Sequence, residues 1–338
     1  MQKDLLNYIV CPKTKSKLIL KKITQSDNNE ITEGVLKSEN DTEYEIIKGI
    51  PSFIVYNDLE KNNYAINLFK EKAAEYDKYQ HLSFETFYQK EEDVRNSMID
   101  KLELKTDATV LEVNAGTGRD SVLIAKRLSD KASLHVQDIS IDMLMRLKEK
   151  VVDLDVPVSI TQSNACKLPY QDDIFDAVYS FGGVGMNTYA DNKQVLSEII
   201  RVTKPGGKVV VGGLSLAPWL RETTFGKILI NHNTHYANEI NFADFPIEAR
   251  ELNLSWILSG AGFVIDFKVG EGEPEANFDY EIPGIRGGTH KTRYYGKLEG
   301  VTPDTKELAL KAVKKTGLSM HKWLDKLVEK EAKKILGE

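Results

Sequence analysis

Gly116 and Gly118 stand where an apolar run, Val110-Leu111-Glu112-Val113, gives way to Asn114-Ala115 and a turn. Glycine at both places lets the backbone approach a ligand closely, and a helical pattern opens directly behind them. Asp138 follows Gly118 by 20 residues, at the end of the next apolar run. From there a carboxylate can take both hydroxyls of a ribose. Such a pairing binds an adenosine-containing cofactor, and by itself it suits NAD as well as any other. The third glycine of a dinucleotide turn is missing, because position 121 is Ser, which argues against a pyrophosphate packed on the loop.

A second group of reactive side chains lies in the stretch 214–250: His232, His235 and Tyr236, with Trp219, Glu239 and Phe242 around them. The stretch is long for a connection between strand and helix, and loops of that kind form lids or binding walls. It is expected to wall the pocket of a second reactant, with His232, His235 or Tyr236 as a base or an orienting group. His232-x-x-His235 with Glu239 has the spacing of a metal site on a helix. No fourth ligand accompanies them, so no metal is expected.

These residues need a scaffold. Apolar alternation and turn residues predict strands at Thr109–Val113, Ser133–Gln137, Val156–Thr161, Asp176–Phe181, Lys208–Gly213, Phe263–Val269 and Thr292–Leu298. Helical spacing is read at Leu68–Tyr79, Ser121–Leu128, Ile141–Val151, Lys193–Val202 and Glu251–Ser259. Strands alternating with helices of this length imply an α/β fold: a doubly wound, Rossmann-like sheet of seven strands, mostly parallel with an antiparallel last strand. Residues 1–60 are polar and turn-rich, and a small β-rich domain is expected there. The sheet domain is expected over 61–298, and a helical hairpin over 299–338.

Composition limits the classes. In 338 residues, 41% hydrophobic and 28% charged, nothing departs from an ordinary globular chain. No apolar run reaches membrane-spanning length and the start lacks a signal-peptide core, so a cytoplasmic protein is expected. The two cysteines, Cys11 and Cys166, cannot build a disulfide framework, which agrees with a reducing compartment. The net charge of −6 argues against a general nucleic-acid binder. It is unevenly spread: residues 291–338 hold 12 Lys and Arg against 7 Asp and Glu.

Three further stretches, Asn164-Ala165-Cys166-Lys167-Leu168-Pro169-Tyr170, Asp173-Ile174-Phe175-Asp176-Ala177-Val178 and Glu198-Ile199-Ile200-Arg201-Val202-Thr203-Lys204-Pro205-Gly206-Gly207, follow the glycine turn in order. With it they resemble the class I S-adenosylmethionine-dependent methyltransferases, in particular the branch of ubiquinone and menaquinone biosynthesis. The resemblance spans roughly residues 65–270. It implies S-adenosyl-L-methionine as cofactor, with Glu112 on the methionine amino group and the backbone of Asn114, Ala115, Gly116 and Gly118 along methionine and ribose. It further implies Asp138 on the ribose, Ile139 on the adenine face, and Asn164 and Ala165 at the adenine edge. Ser180 would lie beneath the sulfonium and Tyr76 would cap the cofactor. Where the family usually has Asp, this chain has Asn164, whose carbonyl still accepts a hydrogen bond.

Leu5-Leu6-Asn7-Tyr8-Ile9-Val10-Cys11-Pro12-Lys13-Thr14, with Tyr44 to Phe53, resemble a small zinc-ribbon-like domain that activates tRNA and protein methyltransferases and is found fused ahead of others. Only Cys11 remains of its two cysteine pairs; Thr14, Ser38 and Asp41 stand at or near the other positions. Four zinc ligands are not available, so a metal-free relic is expected. At the other end, Thr302-Pro303-Asp304 and Ser319 are helix starts, and strand, helix, turn and helix resemble a ribbon-helix-helix module. Because Thr292–Leu298 is needed to finish the sheet, an appended hairpin for packing or homodimerisation is the reading preferred. Methyl transfer to a small-molecule acceptor by in-line displacement is the expected function. An RNA methyltransferase, or a cofactor-sensing regulator with DNA-binding helices, are the alternatives.

Overall fold

A computed structural model of the protein describes residues 1–28, 30–54, 75–183, 189–295 and 302–337. Four antiparallel strands come first: β1 (Leu18–Asp27), β2 (Glu30–Ser38), β3 (Glu43–Ile47) and β4 (Ile50–Pro51), paired in chain order. The next seven are β5 (Thr109–Val113), β6 (Ser133–Asp138), β7 (Val158–Gln162), β8 (Phe175–Phe181), β9 (Thr203–Leu214), β10 (Ala249–Ile257) and β11 (Gly262–Val269). They form one sheet in the order β10-β11-β9-β8-β5-β6-β7. Neighbours from β7 to β9 are parallel, and β11 lies antiparallel to both β9 and β10. This is the Rossmann-like architecture expected, with an antiparallel last strand. From β5 the chain runs outward to β6 and β7, then returns to β8 on the other side of β5. That reversal opens a crevice at the carboxyl ends of β5 and β8, where open α/β sheets hold ligands.

Helices cover the sheet: α1 (Leu82–Glu85), α2 (Glu91–Asp100), α3 (Arg119–Ala125), α4 (Ile141–Val151), α5 (Tyr189–Val202) and α6 (Thr224–His232). Alternate strand residues feed two separate cores, as a parallel sheet buried on both faces requires. Val110, Leu134, Val136 and Val210 pack with Val94, Met98, Ile124 and Leu147 on one face. Leu111, Val113, Val178 and Val211 pack with Val195 and Ile199 of α5 on the other. On that second face the connection from β7 to β8 holds only a short helical turn, Ala165–Lys167. The amino-terminal strands fill the space. Ile9, Leu18, Leu36 and Ile46 join the same core, the Val10 amide donates to the Pro169 carbonyl at 3.0 Å, and the Phe53 amide to the Gln162 carbonyl at 2.8 Å.

The sheet's outer strand departs from expectation. Glu251–Ser259, read as helical, lies mostly in β10, because Leu252, Leu254 and Trp256 alternate and pack on the second core. The hairpin β10–β11 closes the sheet, a task assigned to Thr292–Leu298. Over its described part that segment is helical instead, within α7 (His290–Tyr295). Thr289 and Thr292 cap the turn reciprocally: the Thr292 amide donates to Thr289 Oγ1 at 3.1 Å, and the Thr289 amide to Thr292 Oγ1 at 2.8 Å. The argument that this strand was committed to the sheet therefore falls, and over 290–295 no ribbon strand exists either. Of the helix expected at Leu68–Tyr79, residues 75–79 are helical and the rest lies outside the described residues.

The chain divides into two compact units, Met1–Glu273 and Pro274–Glu338, so the amino-terminal strands belong to the sheet's unit and the division falls before 298. In the second unit, α8 (Pro303–Thr316) starts at a Thr302 cap on the Thr305 amide and ends at Gly317, φ +68°. Ser319 caps α9 (Met320–Leu336). Among the described residues no helix is long and apolar enough to cross a membrane. Cys11 Sγ lies 3.1 Å from the Tyr44 hydroxyl and Asp41 pairs with Lys37 at 2.6 Å, each with a partner of its own.

Candidate cofactor and acceptor site

The glycine turn is held open by its own strand neighbours. Asn114 and Gly116 take positive φ (+60° and +56°), and Gly118 (φ +80°) starts α3. A side chain at Gly118 would strike Leu147 Cγ at 2.7 Å, so glycine is required both for backbone conformation and for packing against α4. The Ala115 amide donates to the Gln137 carbonyl at 2.9 Å, and the Gly116 amide to Asp138 Oδ2 at 2.8 Å. Asp138 Oδ1 accepts from the Ser140 amide at 2.9 Å. Burial raises the Asp138 pKa, offset in part by these amides. The amides of Gly116, Ile139 and Ser140 thus all serve its carboxylate, and part of its acceptor capacity remains for a ribose.

An ion network fixes the helix of residues 75–79 over this turn. Thr117 Oγ1 and Lys150 Nζ bind Asp77 at 2.6 and 2.7 Å, and Arg119 Nη1 reaches the Asp77 carbonyl at 3.1 Å. Arg119 also grips Glu91 on α2, and Glu91 accepts from Arg95 Nε at 2.7 Å. Arg95 is 5% exposed and donates through Nη1 to Asp120 Oδ2 at 2.6 Å. Its guanidinium faces the rings of Phe84 and Phe181, 5.3 and 5.9 Å from their centroids. Burial works against the charge, yet Asp120 and Glu91 outweigh it and hold the Arg95 pKa above its ordinary value.

Above the turn lies a cavity of about 290 Å³. Its floor is Asn114 to Thr117 with Phe181 and Gly182, one wall is Tyr76, Gln80, Ser83 and Phe84, and Arg95, Arg119 and Asp120 line it as well. The opposite wall comes from the 214–250 stretch: Leu214, His232, Asn233 and Tyr236. That stretch is folded back on the sheet. The Leu216 amide donates to the Tyr236 carbonyl at 3.0 Å, Ser215 Oγ to the Asn238 carbonyl at 2.7 Å, and Phe225 of α6 meets Phe87 edge-on at 6.2 Å. Burial raises the Tyr236 pKa, so its phenol stays protonated as a hydrogen-bond donor at neutral pH.

Of the residues singled out in sequence, Tyr76, Asn114, Ala115, Gly116, His232 and Tyr236 line the cavity. His235 does not; its ring Nδ1 sits 3.5 Å from the Asn238 amide nitrogen. Glu112 also stays outside: it is 2% exposed and accepts from Ser121 Oγ. Burial and then the charge of Asp120 push its pKa well above the usual carboxyl range. Asp138, Ile139, Asn164 and Ala165 cluster beside the turn at the carboxyl ends of β6 and β7. There Gln162 Nε2 holds the Ile139 carbonyl at 2.9 Å, and Asn164 Oδ1 takes the Cys166 amide at 2.9 Å. Gly118 shapes the turn from beneath, and Ser180 is buried in β8 with no hydrogen bond to its hydroxyl. Sequence reasoning missed Arg95 and Asp120. Asp120 stands two residues past Gly118 and was within reach of the motif; Arg95, on a different helix, carried no local signal.

Residues 58–219 match the ubiE/COQ5 methyltransferase family. That is just under half of the chain, and it includes the glycine turn, Asp138 and the strands on either side. A demethylmenaquinone methyltransferase of Bacillus mycoides is 33% identical over 135 residues, 40% of this chain and 56% of that protein. Another, of Halalkalibacterium halodurans, is 35% identical over 144 residues, 38% of this chain and 58% of that protein. The chain thus spans little more than half the length of the curated relatives it matches. Among solved structures, geranyl diphosphate C-methyltransferase of Streptomyces coelicolor, in complex with S-adenosyl-L-homocysteine, overlays with a TM-score of 0.41 at 14% identity, covering 53% of this chain and 75% of that one.

Proposed function

We propose that this protein binds S-adenosyl-L-methionine and transfers its methyl group to a small-molecule acceptor. The observation that carries the reading is the cavity itself. A glycine turn that no side chain obstructs forms its floor at the carboxyl ends of β5 and β8, inside the stretch that matches the methyltransferase family. The residues fit the cofactor. Gly116 and Gly182 leave open space where a side chain would stand, and Asn114 Oδ1 and Ser180 Oγ are buried without partners.

In this reading Asn114 to Gly118 run along the methionine and ribose, Asp138 takes the ribose hydroxyls, and Ile139, Asn164 and Ala165 surround the adenine. The cofactor supplies a sulfonium-activated methyl group. The chain's own task is then to align an acceptor atom with that bond and to keep water away. Tyr76, Phe84, Phe181, Leu214 and Leu258 supply the apolar part of the cavity's lining. In this reading His232 and Tyr236 are the polar groups of the acceptor wall: the Tyr236 phenol donates to an acceptor oxygen, and the His232 imidazole receives an acceptor proton.

The relatives' name makes demethylmenaquinone the first acceptor to test. Purified protein, methyl-labelled S-adenosylmethionine and demethylmenaquinone or a cell extract are incubated, and label is counted in small-molecule, RNA and protein fractions. Label in the small-molecule fraction is expected; label confined to RNA would overturn the acceptor class. Asp138→Ala is expected to abolish cofactor binding in calorimetry without unfolding the protein, and undiminished affinity would sink the cofactor assignment.

A further inference from the structure

Asp120 is 6% exposed and lines the cavity, yet only one of its two oxygens is used. Oδ2 accepts from Arg95, while Oδ1 is buried without a well-formed hydrogen bond; the Tyr179 hydroxyl, itself without one, faces the same carboxylate. A buried carboxylate oxygen left unsatisfied is costly, and native folds keep few of them. Arg95 is half-used in the same way. Nε and Nη1 are engaged, and Nη2 donates to no protein atom among the described residues. A guanidinium and a carboxylate 2.6 Å apart, each with an unused corner in one cavity, match a ligand that carries an ammonium and a carboxylate on one carbon.

We propose that Arg95 and Asp120 form a clamp for the amino-acid head of the cofactor, Arg95 taking its carboxylate and Asp120 Oδ1 its ammonium. The inference rests on the function proposed above and reassigns one part of it. By resemblance the amino group belongs to Glu112 at the end of β5. Here Glu112 accepts from Ser121 and does not line the cavity, and burial beside Asp120 favours its neutral form, which offers an ammonium no opposite charge. The faces of Phe84 and Phe181 hold the guanidinium plane, so the unused Nη2 is fixed before a ligand arrives. Glu91 anchors the other end of the same guanidinium, so Arg95 is positioned from α2 while Asp120 comes from the first turn of α3.

Calorimetry on the intact protein with three ligands tests this: S-adenosylhomocysteine, its decarboxylated analogue, and 5′-methylthioadenosine, which lacks the whole head. The wild type is expected to bind S-adenosylhomocysteine at least about 30-fold more tightly than methylthioadenosine, and about 10-fold more tightly than the decarboxylated analogue, as charge-assisted bonds imply. Asp120→Asn keeps an acceptor for Arg95 but loses the charge. It is expected to bind S-adenosylhomocysteine about 10-fold more weakly and methylthioadenosine unchanged. Glu112→Gln is expected to leave the ratio of the two affinities as it is. A ratio that collapses in Glu112→Gln but survives in Asp120→Asn overturns the clamp. So does a wild type that binds methylthioadenosine as well as S-adenosylhomocysteine, with the cofactor reading intact. Binding of none of the three ligands would overturn the cofactor reading and the clamp together. Should Asp120→Asn fail to fold, Glu112→Gln decides: a ratio that survives it keeps the head off Glu112, and a ratio that collapses overturns the clamp.

Discussion

At the amino end four strands form a second sheet within the main sheet's compact unit; at the carboxyl end the helices α7 to α9 belong to a compact unit of their own. The residues of the amino-terminal sheet share a core with α5 and β8, touch the edge of β7 through a single parallel bridge from Ser52 to Gln162, and send Lys15 to Glu198 at 2.8 Å. In the second unit α9 buries none of its residues, and Leu327, Val328 and Ile335 are 47%, 47% and 77% exposed. The contrast follows from what the sheet lacks. A doubly wound fold needs cover on both faces of every strand, and between β7 and β8 this chain supplies only a three-residue turn. The first segment takes the place of that helix, whereas the sheet is already closed by β10–β11 before the last segment begins.

Deletion gives the largest effect that could break this contrast. Removing residues 1–54 uncovers His135 and Tyr170 and takes the bridge partner from Gln162, and the product is expected to show no cooperative thermal transition. Removing 274–338 is expected to leave a cooperative transition and cofactor affinity within about twofold, since every residue lining the cavity precedes 274. A cooperative fold without residues 1–54 would mean the amino-terminal strands are an accessory after all. On the scale of one side chain, Ile9→Ala should cost about 2–5 kcal/mol in chemical denaturation, because Ile9 is 1% exposed in the shared core.

A smaller effect, near pH 5, sharpens the same comparison. His135 on β6 is 1% exposed, and neither ring nitrogen has a hydrogen-bond partner. Tyr8 lies 4.5 Å away, Phe175 5.3 Å and Tyr170 5.8 Å between ring centroids. Burial in this aromatic cage lowers its pKa to about 3. The unfolded chain takes a proton at His135 below about pH 6.5 and the folded one resists until about pH 3, so stability is full above pH 6.5 and falls as acid is added. Between pH 7 and pH 5 this residue should remove about 2 kcal/mol. His135→Phe should flatten that part of the stability profile by the same amount. An unchanged slope would mean the imidazole finds a partner in solution and the junction with Tyr8 is wetter than it stands here.

How much of this could be read from the chain depends on the range of the interactions. The glycine turn, Asp138 and the caps at Thr302 and Ser319 are local, with cause and effect a few residues apart, and they stand where the spacing put them. β10 was misread because Leu252, Leu254 and Trp256 fit a strand only once β11 is beside them, while the same residues fall within a helical count. The docking of residues 1–54 was invisible for a related reason. A missing crossover helix is a property of the whole sheet, and nothing in Ile9 or Tyr8 announces that β6 and β7 lie bare. In the site, the motif located the floor, but the Arg95–Asp120 pair joins residues 25 apart on two helices, and only the fold brings them together.

The smallest expected effect bears on the exposed face of α9. Leu327→Ala removes a side chain already 47% in solvent and should change stability by about 0.5 kcal/mol or less. Set against Ile9→Ala, that difference measures how far the two ends diverge. If a second copy of the chain covered this face, the cost would grow with protein concentration, because association adds mass-action stability to the folded form. Denaturation curves for Leu327→Ala at two concentrations 50-fold apart separate these cases. Coincident curves keep α9 as a solvent-facing helix, and a concentration-dependent loss would give the carboxyl-terminal unit the partner that the amino-terminal strands find within the sheet.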